Sequence, residues 1–157
     1  MQNLLRVKSK SNKQALEYAL KTLFDRHEIL RTVFKEEEGR GYQFIKDKGY
    51  WMLAEINGSE YKEEPAALQE YVENLISQPF DLSKDYMLRA HLINIDDNEN
   101  VLAVIIHHIA SDGWSISILV KEVVELYSSF NEGRPMQLPP LLVQYADYAI
   151  WQRKFLE

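Results

Sequence analysis

Residues 101–115 have the sequence VLAVIIHHIASDGWS, and they indicate how the middle of the chain folds. The apolar run from Val101 to Ile106 is rich in β-branched residues and too short for a typical helix, so we predict a buried strand. Beyond it, apolar residues recur at the spacing of one helix face: Ile116, Leu119, Val120, Val123, Tyr127 and Phe130. Two histidines therefore close a buried strand, and Asp112-Gly113 forms the turn into a helix. Turns of this kind expose reactive side chains on rigid supports.

Composition limits the classes of protein to consider. The chain has 157 residues, of which 46% are hydrophobic, so we expect one domain with a real core. The absence of cysteine excludes disulfides and thiolate nucleophiles, and it favours a cytoplasmic location. No apolar segment is long enough to span a bilayer, so no membrane association is predicted. The net charge of -6 argues against nucleic acid as a partner.

Helical and strand patterns alternate along the rest of the chain. Strands are predicted over 4–8, 31–35, 42–45, 50–56, 87–95 and 101–107. Helices are predicted after a cap at Ser11, between Pro65 and Pro79, over 115–130 and over 143–155. This alternation predicts an α/β fold in which helices pack on a mixed β-sheet.

Three stretches match known sequence patterns in order along the chain: residues 26–34 match RHExLRTxF, residues 107–113 match HHxxxDG, and residues 145–151 match YxDxAxW. In these stretches the chain resembles condensation domains in nonribosomal peptide synthetases, which belong to the chloramphenicol-acetyltransferase-like superfamily. Residues 79–82, with the sequence PFDL, resemble the segment before the family's active-site strands. Ordered matches across most of the chain make a chance likeness improbable.

The resemblance implies that residues 1–157 form the N-terminal lobe of a two-lobed fold. Neither the second lobe nor an upstream SxAQxRLW-like motif is found in this sequence. In the family, donor and acceptor substrates meet in a tunnel between the lobes. We therefore expect a lobe that stands alone, either as a designed fragment or as a truncated gene product, and that is inactive by itself.

The implied activity is amide-bond formation in nonribosomal peptide synthesis. An upstream carrier domain presents an acyl or peptidyl thioester, and the amine of a downstream aminoacyl thioester attacks it. The implied partners are these two peptidyl carrier domains, the second lobe and a neighbouring adenylation domain. No cofactor is bound directly, because the phosphopantetheine arms belong to the carriers. Residues 112–115 resemble the subtype that forms peptide bonds rather than the epimerising one.

Within HHxxxDG, the resemblance assigns catalysis to the second histidine, His108. Imidazole titrates near neutral pH, so His108 can handle the proton of the attacking amine or position that amine. His107 is expected to hold the loop through a hydrogen bond. Gly113 is expected to let the backbone turn sharply, and the resemblance suggests that its N–H donates to the developing oxyanion.

Asp112 resembles the family aspartate that turns away from the substrate and pairs with an arginine. Arg26 and Arg31, both in the second motif, are the expected partners. A third candidate, Arg89, depends on the register of the hairpin that precedes the histidines. If Ile95 opposes Val101 across the hairpin, then Arg89 opposes His107. The same register places His91 on the face that Arg89 and His107 share.

Several alternatives remain beside this interpretation. A metal site formed by His107, His108 and Asp112 is disfavoured, because adjacent strand residues point to opposite faces. The chain could also be a stand-alone acyltransferase that uses acyl-CoA, or a non-catalytic lobe that binds carriers. Tyr145, Tyr148 and Trp151 are predicted to pack in the core or between lobes. Apolar surface that a second lobe would cover is expected to drive self-association.

Overall fold

The computed structural model describes residues 2–7 and 12–156. The strands are β1 (Gln2–Val7), β2 (Thr32–Glu37), β3 (Arg40–Ile45), β4 (Ala54–Asn57), β5 (Leu88–Asp96) and β6 (Glu99–Ile106). The helices are α1 (Lys13–Arg26), α2 (Pro65–Ser77), α3 (Gly113–Glu132) and α4 (Tyr145–Leu156). Each predicted helix and strand has a counterpart among the described residues, with boundaries that move by a few residues, and Lys8 of the predicted strand over 4–8 lies outside them. The predicted cap at Ser11 lies outside the described residues, and Asn12 caps α1 by accepting a hydrogen bond from the Ala15 N–H.

The main sheet is mixed, as predicted. It has four strands in the order β1-β6-β5-β4, with β6 antiparallel to both of its neighbours and β4 parallel to β5. The parallel pair requires a crossover, and α2 lies in the connection between β4 and β5. β2 and β3 form a separate antiparallel hairpin.

β6 lies inside this sheet and is buried on both faces. Leu102 and Ile106 belong to the core cluster that includes apolar residues of α1 and α3. Val101 and Ile105 point the other way and pack with residues of α2. Burial on both sides explains why the strand is a continuous apolar run rather than an alternating one. The strand that precedes the histidines is therefore rigidly supported.

The predicted register of the β5–β6 hairpin is wrong by two residues. Ile93, rather than Ile95, opposes Val101. The strands continue to Asp96 and close through a tight turn, and an irregularity in the ladder follows Asn94. Because side chains alternate along a strand, a shift of two residues leaves each of them on its predicted face.

Helix α4 differs from the other helices, because none of its residues 145–156 is buried. Tyr145, Tyr148, Trp151 and Phe155 form a ladder of neighbouring rings, with successive centroids 6.3, 5.9 and 5.5 Å apart. The predicted packing of Tyr145, Tyr148 and Trp151 in the core of this lobe is therefore wrong, while their packing between lobes stays a prediction. None of the described helices is long and apolar enough to cross a bilayer.

Candidate active site

The two histidines lie on a short turn that is anchored at both ends. After Ile106 ends β6, the backbone N–H of His107 donates to the Met87 carbonyl at 3.1 Å and prolongs the pairing with β5. A single turn of 3-10 helix covers His108–Ala110. Ser111 is buried, and α3 begins two residues later. The turn therefore connects a buried strand directly to a helix.

His107 is held in a defined orientation. Its Nδ1 accepts a hydrogen bond from the Ile109 N–H at 3.0 Å, and its ring meets the Phe80 ring edge-on at 5.2 Å between centroids. Burial lowers the pKa of His107, and the neighbouring His108 lowers it further. Since Nδ1 acts as an acceptor, the neutral ring carries its proton on Nε2.

His108 is exposed at the first position of the 3-10 turn. Its carbonyl accepts the Ser111 N–H at 3.4 Å, so the backbone on which the imidazole stands is hydrogen-bonded. The strand has already ended at this position, and strand alternation does not decide where His108 points. Across residues 2–7 and 12–156, no three potential ligands are grouped closely enough to hold a metal ion.

Asp112 pairs with neither of the predicted arginines, and that prediction is wrong. It is the N-cap of α3: its Oδ1 accepts the Ser115 N–H at 2.8 Å, and the Ser115 hydroxyl oxygen accepts the Asp112 N–H at 2.8 Å. Hydrogen bonds from the backbone N–H and the side chain of Ser115 to the carboxylate lower the pKa of Asp112. An aspartate directly before a helix can accept hydrogen bonds from the free N–H groups of the first turn, and Asp112 does this for α3.

Gly113 does not form a sharp turn, contrary to the prediction. It is the first residue of α3 and has no positive φ. A Cβ atom built on Gly113 would meet nothing within 4 Å. Neither backbone conformation nor packing within this lobe therefore requires glycine at this position. Its N–H is one of the first amides of the helix, which have no acceptor inside the helix.

The second motif is partly to fully buried and does not form part of the exposed turn. Arg26 Nε lies 3.3 Å from Glu122 Oε1, and His27 Nε2 lies 2.5 Å from Glu122 Oε2. The Arg26 and Glu122 side chains are only 11% and 8% exposed. The Gln144 side chain adds a hydrogen bond to the Arg26 carbonyl at 3.0 Å. Arg26 therefore joins the end of α1 to α3.

Glu122 was not identified from the sequence, although a signal was present. It lies three residues after Leu119 and four before Leu126, both of which are buried on the inner face of α3. A carboxylate on a buried helix face needs a cationic or hydrogen-bonding partner. That position predicts a buried charge pair, and Arg26 provides one half of it.

Arg31 stabilises the β2–β3 hairpin. Its Nη1 donates to the Lys46 carbonyl at 2.6 Å, and its Nη2 lies 3.9 Å from Glu28 Oε1. The Arg31 side chain is buried, and its Nε has no hydrogen-bond partner among the described residues. Arg31 thus holds the segment directly after β3 in place rather than the histidine turn.

A cleft of about 910 Å³ lies between the β2–β3 hairpin and α4, away from the histidines. Its lining includes Phe34, Lys35, Tyr42, Ile150 and Arg153, and no residue of 107–113. In the histidine turn, His108, Ile109, Asp112 and Gly113 are exposed.

Comparisons with known proteins agree with this architecture. The Condensation domain family matches residues 1–157. The chain is 40% identical over 156 residues to a linear gramicidin synthase from Brevibacillus parabrevis, covering 98% of this chain and 3% of that protein. It is 38% identical over 152 residues to malpinin synthetase of Mortierella alpina, covering 97% of this chain and 2% of that protein. The chain is thus a small fraction of the length of these relatives.

Solved structures match over nearly the whole chain. The X-domain from teicoplanin biosynthesis gives a TM-score of 0.84 at 34% identity, covering 99% of this chain and 33% of that one. The starter condensation domain of rhizomide synthetase gives a TM-score of 0.85 at 17% identity, which supports the fold alone. The matched part is about a third of each solved chain and corresponds to a single lobe. The chain belongs to the condensation-domain family of nonribosomal peptide synthetases.

Proposed function

We propose that this lobe contributes His108 to amide-bond formation between a carrier-bound acyl or peptidyl thioester and a carrier-bound aminoacyl thioester. The observation that carries the proposal is the exposure of His108 on an anchored turn, beside a hydrogen-bonded His107. A group with this exposure and support can meet a substrate without rearrangement of the fold.

The proposed reaction follows from the chemistry of the two thioesters. The acceptor amine attacks the donor carbonyl carbon, the nitrogen loses a proton, and the carbon–sulfur bond breaks to release the donor carrier's thiol. His108 takes up the amine proton or orients the amine, as imidazole can do near neutral pH. The Gly113 N–H, at the positive end of α3, donates to the oxygen that becomes negatively charged.

The proposal includes partners that this chain does not contain. They are an upstream and a downstream peptidyl carrier domain, a second lobe that completes the tunnel, and a neighbouring adenylation domain. The relatives named as synthetases are far longer than this chain, which supports a multidomain setting. The phosphopantetheine arms come with the carriers, and a cytoplasmic location is part of the proposal.

The test is His108→Ala in a complete condensation domain that carries this lobe. Single-turnover condensation with loaded carriers should slow by roughly a hundred- to ten-thousand-fold, the usual contribution of a positioned acid–base group. The melting temperature should hardly change, because the side chain is exposed. Lys121→Ala, an exposed site on α3, serves as the control and should react normally. Condensation at the normal rate by His108→Ala would refute the proposal.

A second candidate function is partner binding without catalysis. One of the matching structures is a complex of the teicoplanin X-domain with OxyB, and its X-domain is 32% identical to this chain. In this chain, Trp151 and Phe155 on α4 are 58% and 76% exposed, and such aromatic surface can bind a partner.

We expect the 157-residue chain to be inactive in condensation when it is alone. We also expect it to self-associate, and sedimentation velocity measures this. Dipeptide formation by this chain alone would show that no second lobe is needed.

A further inference from the structure

Arg89 makes contacts that neither the motifs nor the proposed reaction explain. It lies on β5 opposite Ile105, and its guanidinium reaches the segment that follows α2. Nη1 donates to the Gln78 carbonyl at 3.0 Å, and Nη2 donates to the Pro79 carbonyl at 2.8 Å. Its Nη2 also lies 3.4 Å from an oxygen of Asp85. One side chain therefore fixes the path of the backbone just before Phe80.

Phe80 connects this arginine to the histidine turn. The Arg89 guanidinium carbon lies 3.8 Å from the centroid of the Phe80 ring, within the range of a cation–π contact. The same ring meets His107 edge-on, with an interplanar angle of 78°. His107 in turn accepts the Ile109 N–H at Nδ1. Continuous contacts thus lead from a sheet residue to the residues on both sides of His108.

We propose that Arg89 is a positioning residue that acts through Phe80 and His107 on the turn that carries His108. The proposal deepens the proposed function and rests on it, since it assumes that the orientation of His108 matters for the reaction. The contacts of Arg89 are with the segment around Phe80 rather than with the groups assigned to the chemistry. It orders the turn by fixing Phe80, whose ring fixes the tilt of the His107 imidazole.

The geometry explains why the residue is arginine. A planar guanidinium can donate to two adjacent carbonyls while its flat face lies on an aromatic ring. A lysine ammonium is a compact charge and cannot meet both requirements from one position. Arg89→Lys should therefore lose the positioning function although the charge is kept. Phe80→Tyr should preserve it, because the ring remains, whereas Phe80→Leu should not.

The first measurement is the tautomer of His107 in the 157-residue chain, read from the nitrogen chemical shifts of its ring. Wild type should show the Nε2-protonated form. In Arg89→Lys and Phe80→Leu, the Nδ1-protonated form should become about fivefold more populated, the effect of losing the bias of one hydrogen bond. Phe80→Tyr should resemble wild type. Unchanged tautomer populations in both Arg89→Lys and Phe80→Leu would overturn the proposal.

The second measurement is single-turnover condensation in the complete domain. Arg89→Lys should slow the reaction about tenfold or more, because small misplacements of a catalytic group are costly. The carrier concentration that gives half of the maximal single-turnover rate should not change. Arg40→Lys, an exposed arginine at the start of β3, is the matched control. A tautomer shift without a slower reaction would overturn the positioning role.

These outcomes also distinguish the two proposals. If His108→Ala reacts normally, the proposed function fails, and the tautomer measurement still decides whether Arg89 orders the turn. If Arg89→Lys does not fold, Phe80→Leu tests the same contacts through a change of apolar shape alone. Normal tautomer populations and a normal rate in folded Phe80→Leu would then refute the positioning role.

Discussion

The second motif, residues 26–34, and the histidine turn, residues 107–113, are both rich in polar residues but differ in environment. In the second motif, Arg26 is nearly buried and pairs with a carboxylate 96 residues away in sequence. In the histidine turn, His108 and Asp112 are exposed, and the Asp112 side chain accepts a hydrogen bond from Ser115, only three residues along the chain. The second motif stabilises the fold, and the histidine turn exposes polar side chains at the surface.

This difference predicts different consequences of mutation. A polar contact between distant, buried elements loses stability when one partner is removed, because the other is left without compensation. A local contact at an exposed turn can be replaced largely by water. The three substitutions below test this contrast, in order of decreasing expected change in unfolding free energy.

Glu122→Ala should have the largest effect. It leaves Arg26 and His27 nearly buried without their shared carboxylate, and we expect a loss of about 3 kcal/mol, the lower end for breaking a buried ion pair. Chemical denaturation measures the loss. Glu125→Ala, on the same helix and paired with the partly exposed Arg134, is the control and should cost much less. Equal losses of unfolding free energy in the two variants would show that burial does not make the Glu122 pair contribute more than the Glu125 pair.

Asp112→Ala should have an intermediate effect. It removes the side-chain half of the capping box of α3, which is worth about 1 kcal/mol at a typical N-cap. Asp112→Asn should retain most of the stability, since asparagine caps helices equally well. Thermal melting of the three proteins measures both effects. A loss as large as that of Glu122→Ala would mean that Asp112 has a buried ionic partner after all.

The errors of the sequence analysis have physical causes. Periodicity predicted each helix and strand, because apolar spacing records which faces are buried. It could not predict the β5–β6 register, because a tight turn and an irregular pair moved the ladder by two residues. It also could not choose a partner for Arg26, because a charge pair depends on tertiary proximity. Only the buried position of Glu122 on α3 indicated that a partner was needed.

The histidine turn shows the same division between local and distant information. The position of His108 just after a buried strand followed from the apolar run alone. The capping role of Asp112 was also readable locally, from an aspartate followed three residues later by Ser115. The resemblance favoured an arginine partner instead, and the structure has the local solution. The contact of Phe80 with His107 required the folded chain.

Gly113→Ala should have the smallest effect on stability and is the sharpest test of the turn. The added methyl group meets nothing within 4 Å, so no clash opposes it. Alanine favours helices over glycine by up to about 1 kcal/mol, so the variant should melt at or slightly above the wild-type temperature. In the complete domain, however, the methyl group would stand beside the amide that we assign to the developing oxyanion. Condensation should then slow by about tenfold or more, as when an oxyanion contact is disturbed.

Gly41→Ala is the matched control for this substitution. Gly41 lies on β3, away from the turn, and a methyl group built there also meets nothing within 4 Å. Its condensation rate should be normal. If Gly113→Ala reacts as fast as Gly41→Ala, its amide has no part in the reaction and the oxyanion assignment fails. If Gly113→Ala instead melts well below wild type, the open space beside α3 is filled in the working enzyme, and a slower reaction would reflect packing rather than chemistry.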